Sequence, residues 1–128
     1  SQNLFISSGN IAQYSALKIF DCLDELKVLV KKYHSTRDKV FEILKDISCI
    51  KFNKPNGAFY YYIDVSEINI DSFKLVKKIM HETGVVLTPG IDFDQKFGSQ
   101  TLRLSFSSKP NIVLEGTEKL REWFKKNY

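Results

Sequence analysis

Thr101-Leu102-Arg103-Leu104-Ser105-Phe106 alternates without a break, with Leu102, Leu104 and Phe106 on one side of an extended chain and Thr101, Arg103 and Ser105 on the other. Period two predicts a half-buried strand with an arginine at its centre. The chain holds nineteen basic residues, but only three are arginine, and the other two, Arg37 and Arg121, fall in helical stretches. A guanidinium fixed on a strand is costly unless something planar and anionic meets it, because its rigid fork suits a carboxylate or phosphate held by two hydrogen bonds. On these residues alone two readings stay open: a structural ion pair with an internal Asp or Glu, or a ligand-binding group.

The surroundings of the strand tilt that balance. Upstream lies Lys54-Pro55-Asn56-Gly57-Ala58-Phe59-Tyr60-Tyr61-Tyr62-Ile63-Asp64-Val65-Ser66, and between the two lies Thr83-Gly84-Val85-Val86-Leu87-Thr88-Pro89-Gly90-Ile91-Asp92-Phe93-Asp94. Downstream, Phe106-Ser107-Ser108 leads into a helical run through Leu114-Glu115-Gly116 to Leu120. In this order the segments resemble the C-terminal small domain of class I/II, fold-type I pyridoxal-phosphate-dependent aminotransferases. The family pattern there is roughly P-x-G-A-F-Y, then G-V-x-x-x-P-G-x-x-F, then a strand carrying L-R-L-S-F. The resemblance runs from Gln2 to about Trp123. Each piece alone is weak; the pieces in this order and spacing are strong.

The resemblance implies an enzyme that moves an amino group between an amino acid and a 2-oxo acid, working as a homodimer when full length. Its cofactor is pyridoxal 5'-phosphate. The lysine that holds it as a Schiff base, the aspartate that pairs with the pyridinium nitrogen and the phosphate-binding groups belong to the family's large domain. None of those motifs is matched here, so no catalytic, cofactor-binding or metal residue carries over, and the chain alone is expected to be inactive and not to bind the cofactor. One substrate-binding residue does carry over: Arg103, at the position that clamps the substrate α-carboxylate. Many members have F-G where this chain has Phe93-Asp94, a departure that implies a differently shaped loop and a change in substrate choice without touching the arginine.

Composition bounds the alternatives. At 128 residues, with 43% hydrophobic and 27% charged residues, the chain suits one globular domain and is too short for a two-domain enzyme. The formal charge of +4 is spread over pairs such as Lys31-Lys32, Lys77-Lys78 and Lys125-Lys126. These read as solvated helix faces, not as a nucleic-acid footprint, since no basic run is interleaved with aromatics. No apolar run approaches a membrane span, and no signal pattern opens the sequence. Cys22 and Cys49 match no metal spacing and read as reduced thiols, which points to the cytoplasm. His34 and His81 lie on Lys-rich helical segments and are expected at the surface. Asp92 and Asp94 lack the further ligands a metal site needs.

Along the chain, residues 1–9 read as a connector from a large domain, with an apolar triplet at Leu4-Phe5-Ile6. Ala12, Ala16, Ile19, Phe20 and Leu23 then follow helical spacing. A longer helix opens at Asp24, its stripe made of Leu26, Leu29, Val30, Tyr33, Val40, Phe41, Leu44 and Ile47. A helix of that length spans on the order of 36 Å, long for so small a domain. Ile50 and Phe52 begin a strand that turns at Asn53–Gly57, with Gly57 expected to supply the positive φ. The strand from Ala58 to Ile63 is expected to be covered on two faces. Asn69 or Asp71 caps the next helix, Gly84 ends it, Val85-Val86-Leu87 forms a short buried strand, and Pro110 starts the last helix over Val113, Leu120, Trp123 and Phe124. Pro89-Gly90 reads as a plain turn before a polar loop.

The expected fold is an α/β two-layer sandwich: a small, mostly antiparallel sheet of about four strands covered by helices, residues 1–128 forming one domain of the aminotransferase small-domain type. Two further readings stand beside the enzyme: an aminotransferase-like domain that senses a ligand in a transcription regulator, and a non-catalytic α/β interaction module.

Overall fold

The computed structural model describes residues 8–128. The triplet Leu4-Phe5-Ile6, with most of the connector, lies outside the described residues. The chain divides into two compact units, with the boundary after Lys31. In the first, helix α1 spans Asn10–Ala16 and a 3-10 turn covers Ile19–Cys22. Ile11, Tyr14, Leu17 and Phe20 all stand in solvent, Ile11 at 85% exposure. Helix α2, Leu23–Leu44, begins in this unit, and its early apolar residues Leu26, Leu29 and Val30 are exposed as well. The stripe meets the core from Tyr33 onward, with Tyr33 partly buried against it and Thr36, Val40 and Leu44 fully buried. Sequence periodicity identified the stripe but could not tell which half is covered.

The second unit carries the sheet. Strand β1 is Lys51–Phe52, β2 is Tyr60–Asp64, β3 is Thr88–Pro89 and β4 is Thr101–Ser105. Helix α3 spans Ser72–Thr83 and α4 spans Pro110–Asn127. The four strands order β1-β2-β4-β3 and every neighbouring pair is antiparallel. Buried Tyr61 and Ile63 of β2 and Leu102 and Leu104 of β4 join Val40 and Leu44 of α2, Leu75 and Ile79 of α3, and Leu120 and Phe124 of α4 in one hydrophobic cluster. This is the two-layer α/β sandwich that the alternating strand and the helical stripes predict.

The local signals act mostly as their chemistry dictates. Asp71 is the N-cap of α3, its carboxylate accepting the N–H groups of Phe73 and Lys74 at 3.0 and 3.4 Å. Gly84 ends the helix in the left-handed region at φ 73°. Three expectations need correction. The positive φ of the β1–β2 connection falls on Ala58, at 58°, and not on Gly57. Strand β2 is covered on one face only, because Tyr62 across the pleat is 42% exposed. The strand expected at Val85–Leu87 forms instead at Thr88–Pro89: Leu87 reaches the core but Val86 stands in solvent, and the ladder with β4 consists of Thr88↔Arg103 and Pro89↔Leu102.

Candidate functional site

Strand pairing builds a row across the sheet. Tyr62 of β2 lies opposite Arg103 of β4, and Thr88 of β3 lies on the other side of the same arginine. Since side chains alternate along a strand, Tyr60, Tyr62, Arg103 and Ser105 share the face turned away from the helices. Leu102 and Leu104, on the opposite face, are buried and fix the strand to the core.

On the open face Arg103 is half-buried. Two aromatic rings lie against it, with Cζ 4.4 Å from the centroid of Tyr60 and 3.9 Å from that of Phe93. Such contacts occupy the flat faces of a guanidinium and leave its N–H donors, which lie in the plane, for another acceptor. Among the described residues Arg103 forms no salt bridge and no side-chain hydrogen bond. The other two arginines do. Arg37 pairs with Asp38 at 2.9 Å and donates to the Pro55 carbonyl at 3.1 Å, and Arg121 pairs with Glu118 at 2.6 Å. The hydrogen bond from Arg37, aided by Lys54, holds the Asp38 carboxyl below its ordinary range. The internal ion-pair reading of Arg103 therefore has no partner among these residues.

Phe93 reaches the arginine from the segment between β3 and β4, and the glycines there do more than make a turn. A Cβ on Gly90 would fall 2.8 Å from the carbonyl oxygens of both Gly98 and Thr101, so the two ends of the loop touch backbone to backbone. The N–H groups of Phe93 and Asp94 both donate to the Gly90 carbonyl at 2.9 Å. The Asp94 carboxylate accepts from the backbone of Lys96 at 2.7 Å and of Phe97 at 3.1 Å. Where the family pattern has glycine, this chain thus has a residue that caps its own turn. Ser72, at the start of α3, donates to the Gly98 carbonyl at 2.8 Å, and Thr101 Oγ1 donates to the Tyr62 hydroxyl at 2.8 Å.

Sequence reasoning named Arg103 and missed the two rings beside it. Tyr60 passed as one residue of a covered strand and Phe93 as one letter of a loop motif. The register of β2 against β4, strands separated by more than thirty residues, places Tyr60, and the fold-back of the Gly90–Gln100 loop places Phe93; no local pattern encodes either. Cys22 and Cys49 are free thiols, the first exposed and the second partly buried, where burial raises its pKa. His34 and His81 are exposed. Among the described residues no cluster of His, Cys, Asp and Glu is arranged to hold a metal ion, and no helix is long and apolar enough to cross a membrane.

Comparison with known proteins gives the same frame. The profile of one family, aminotransferase class I and II, matches residues 2–119. A (5-formylfuran-3-yl)methyl phosphate transaminase of Methanocaldococcus jannaschii is 35% identical over 127 residues, which cover 98% of this chain and 33% of that protein. An aspartate aminotransferase of Sulfurisphaera tokodaii is 32% identical, over 94% of this chain and 31% of its own length. Among solved structures, an aminotransferase from Mycobacterium tuberculosis superposes with a TM-score of 0.86 at 28% identity, covering 98% of this chain and 33% of that one. The chain therefore spans about a third of the length of the relatives it matches.

Proposed function

This chain belongs to the class I and II aminotransferases, and we propose that it is the small, substrate-clamping domain of a pyridoxal-phosphate-dependent member, residues 1–128 forming one domain with 1–9 as its connector to a large domain. The full-length enzyme transfers an amino group from an amino acid to a 2-oxo acid. It works in the cytoplasm as a homodimer, the state that the family implies. One observation carries the reading: of three arginines, the one on the open sheet face is half-buried, aromatic-flanked and, among the described residues, without a carboxylate, while the other two are paired.

A half-buried guanidinium with free donors binds a carboxylate through two parallel charge-assisted hydrogen bonds. Arg103 sits on a central strand with packed leucines behind it and two rings against its guanidinium, so the bound carboxylate takes a fixed place and the rest of the substrate is presented in one orientation. Converting free rotation into a single pose is the contribution of such a clamp to rate. The family's chemistry implies pyridoxal phosphate in the full-length enzyme. The residues gathered around Arg103, namely Tyr60, Tyr62, Thr88, Phe93 and Thr101, include no primary amine and no carboxylate. They do not fit the cofactor, and the groups that hold it are assigned to the large domain.

Arginine replacement in the full-length enzyme tests this. Arg103→Lys keeps the charge and loses the fork, and should slow reaction of amino acid and oxo acid together with cofactor loading intact. Arg103→Ala should cost about 2–5 kcal/mol in kcat/KM, the range for truncating one half of a desolvated, hydrogen-bonded charge pair. Kinetics unchanged in both variants would remove the clamp.

A further inference from the structure

We propose that Phe93 is a positioning residue for Arg103: its ring, carried over the guanidinium by the Gly90–Gln100 loop, sets the plane in which the arginine meets a carboxylate. The inference rests on the carboxylate-clamping reading of Arg103. Strand β4 fixes only the root of the arginine side chain, and beyond it lie several freely rotating bonds. Among the described residues no hydrogen bond holds the nitrogens, so the surfaces left to orient the guanidinium are the rings of Tyr60 and Phe93. Tyr60 comes from the neighbouring strand, whereas Phe93 comes from a different element and adds an independent restraint.

Phe93 has no place in the hydrophobic core. It is 54% exposed, yet its ring centroid lies 3.9 Å from Arg103 Cζ, nearer than that of Tyr60. The backbone that delivers it is fixed by the Gly90–Gly98 contact and by the hydrogen bonds that Gly90 and Asp94 accept. An aromatic ring offers a cation a negative face and keeps water from one side of it; an aliphatic side chain of similar bulk offers only the second. The ring therefore acts on the ligand through the arginine, by keeping the two-donor edge in register with a planar anion.

The test uses the cofactor-loaded full-length enzyme in single turnovers. Proteinogenic L-amino acids are screened, and the fastest is compared with the amine left when its carboxylate is removed. Phe93→Leu should lower the amino-acid reaction about three- to thirty-fold, mainly in the limiting rate constant at saturating amino acid, and leave the amine within about two-fold of wild type. Phe93→Trp, which restores a π-face, should recover most of the loss. An equal loss for amino acid and amine would assign the ring a merely structural role and overturn the proposal. If Phe93→Leu is silent while Arg103→Lys is impaired on the amino acid alone, the proposal fails and the clamp stands. If both variants are silent, the clamp reading has failed and takes the proposal with it.

Discussion

A Cβ on Gly98 would lie 2.6 Å from the carbonyl oxygen of Gly90, so each of these glycines is the steric condition for the other. Neither has a positive φ, and the requirement is therefore one of space and not of backbone conformation. Gly98→Ala should destabilise the chain by about 1–3 kcal/mol, the usual cost of overpacking a tight contact. Urea denaturation measures this directly. A midpoint equal to wild type would mean that the loop yields without cost.

The β1–β2 connection gives a prediction opposite to the one its sequence suggests. Ala58 sits at φ 58°, while Gly57 lies outside the left-handed region with no atom within 4 Å of where a Cβ would stand. Gly57→Ala should stabilise by about 0.4–1 kcal/mol by restricting the unfolded chain. Ala58→Gly should also stabilise, by about 0.5–1 kcal/mol, since relief of left-handed strain exceeds the entropy that glycine adds. Thermal melts of the two variants decide the matter. A destabilised Gly57→Ala would return the turn to the conformation read from Pro55-Asn56-Gly57.

What the sequence made legible follows from the range of each signal. The alternation of Thr101–Phe106 and the stripe of the last helix act within a few residues, so the face of Arg103, the Pro110 start and the buried Trp123 and Phe124 could all be read. Asp71 and Gly84 likewise mark their helix from one turn away. The pairing of Tyr62 with Arg103 and the seating of Gly90 against Gly98 join distant segments, and neither leaves a local mark. Val85-Val86-Leu87 misled because apolar composition does not say which of three neighbours finds the core.

Alkaline stability should report on Tyr61. Its ring is fully buried against Phe52 and Phe106, its hydroxyl donates to the Arg37 carbonyl at 2.7 Å, and burial pushes its pKa up to about 12. The folded state thus holds this proton more tightly than the unfolded state, whose value is 10.0. The contribution is complete below pH 10 and declines as the pH rises towards 12. Tyr61→Phe should cost about 1 kcal/mol near neutrality, for the lost hydrogen bond, and make the decline shallower. Parallel curves for the two proteins between those pH values would argue against the burial effect.

The first unit, seen by itself, presents Ile11, Tyr14, Leu17 and Phe20 to solvent. Four large apolar side chains exposed on so short a segment are of the kind that marks an interaction surface. Sedimentation of the 128-residue chain should therefore show concentration-dependent association, weakened by Leu17→Gln and Phe20→Ser. A strict monomer across the accessible concentration range would contradict this.

The position of Arg103 in the middle of an interior strand also limits how this protein can change. Strand β4 is bonded to β2 on one side and β3 on the other, and slipping it by one residue would turn the guanidinium towards the helices and a leucine towards the open face. No gradual path leads from one register to the next. On the clamp reading proposed above, variation in the acids accepted would accumulate on the Gly90–Gln100 loop and on whatever surface faces the sheet, while the arginine stays where the hydrogen-bond ladder puts it. The strand acts as a fixed datum from which new preferences are measured.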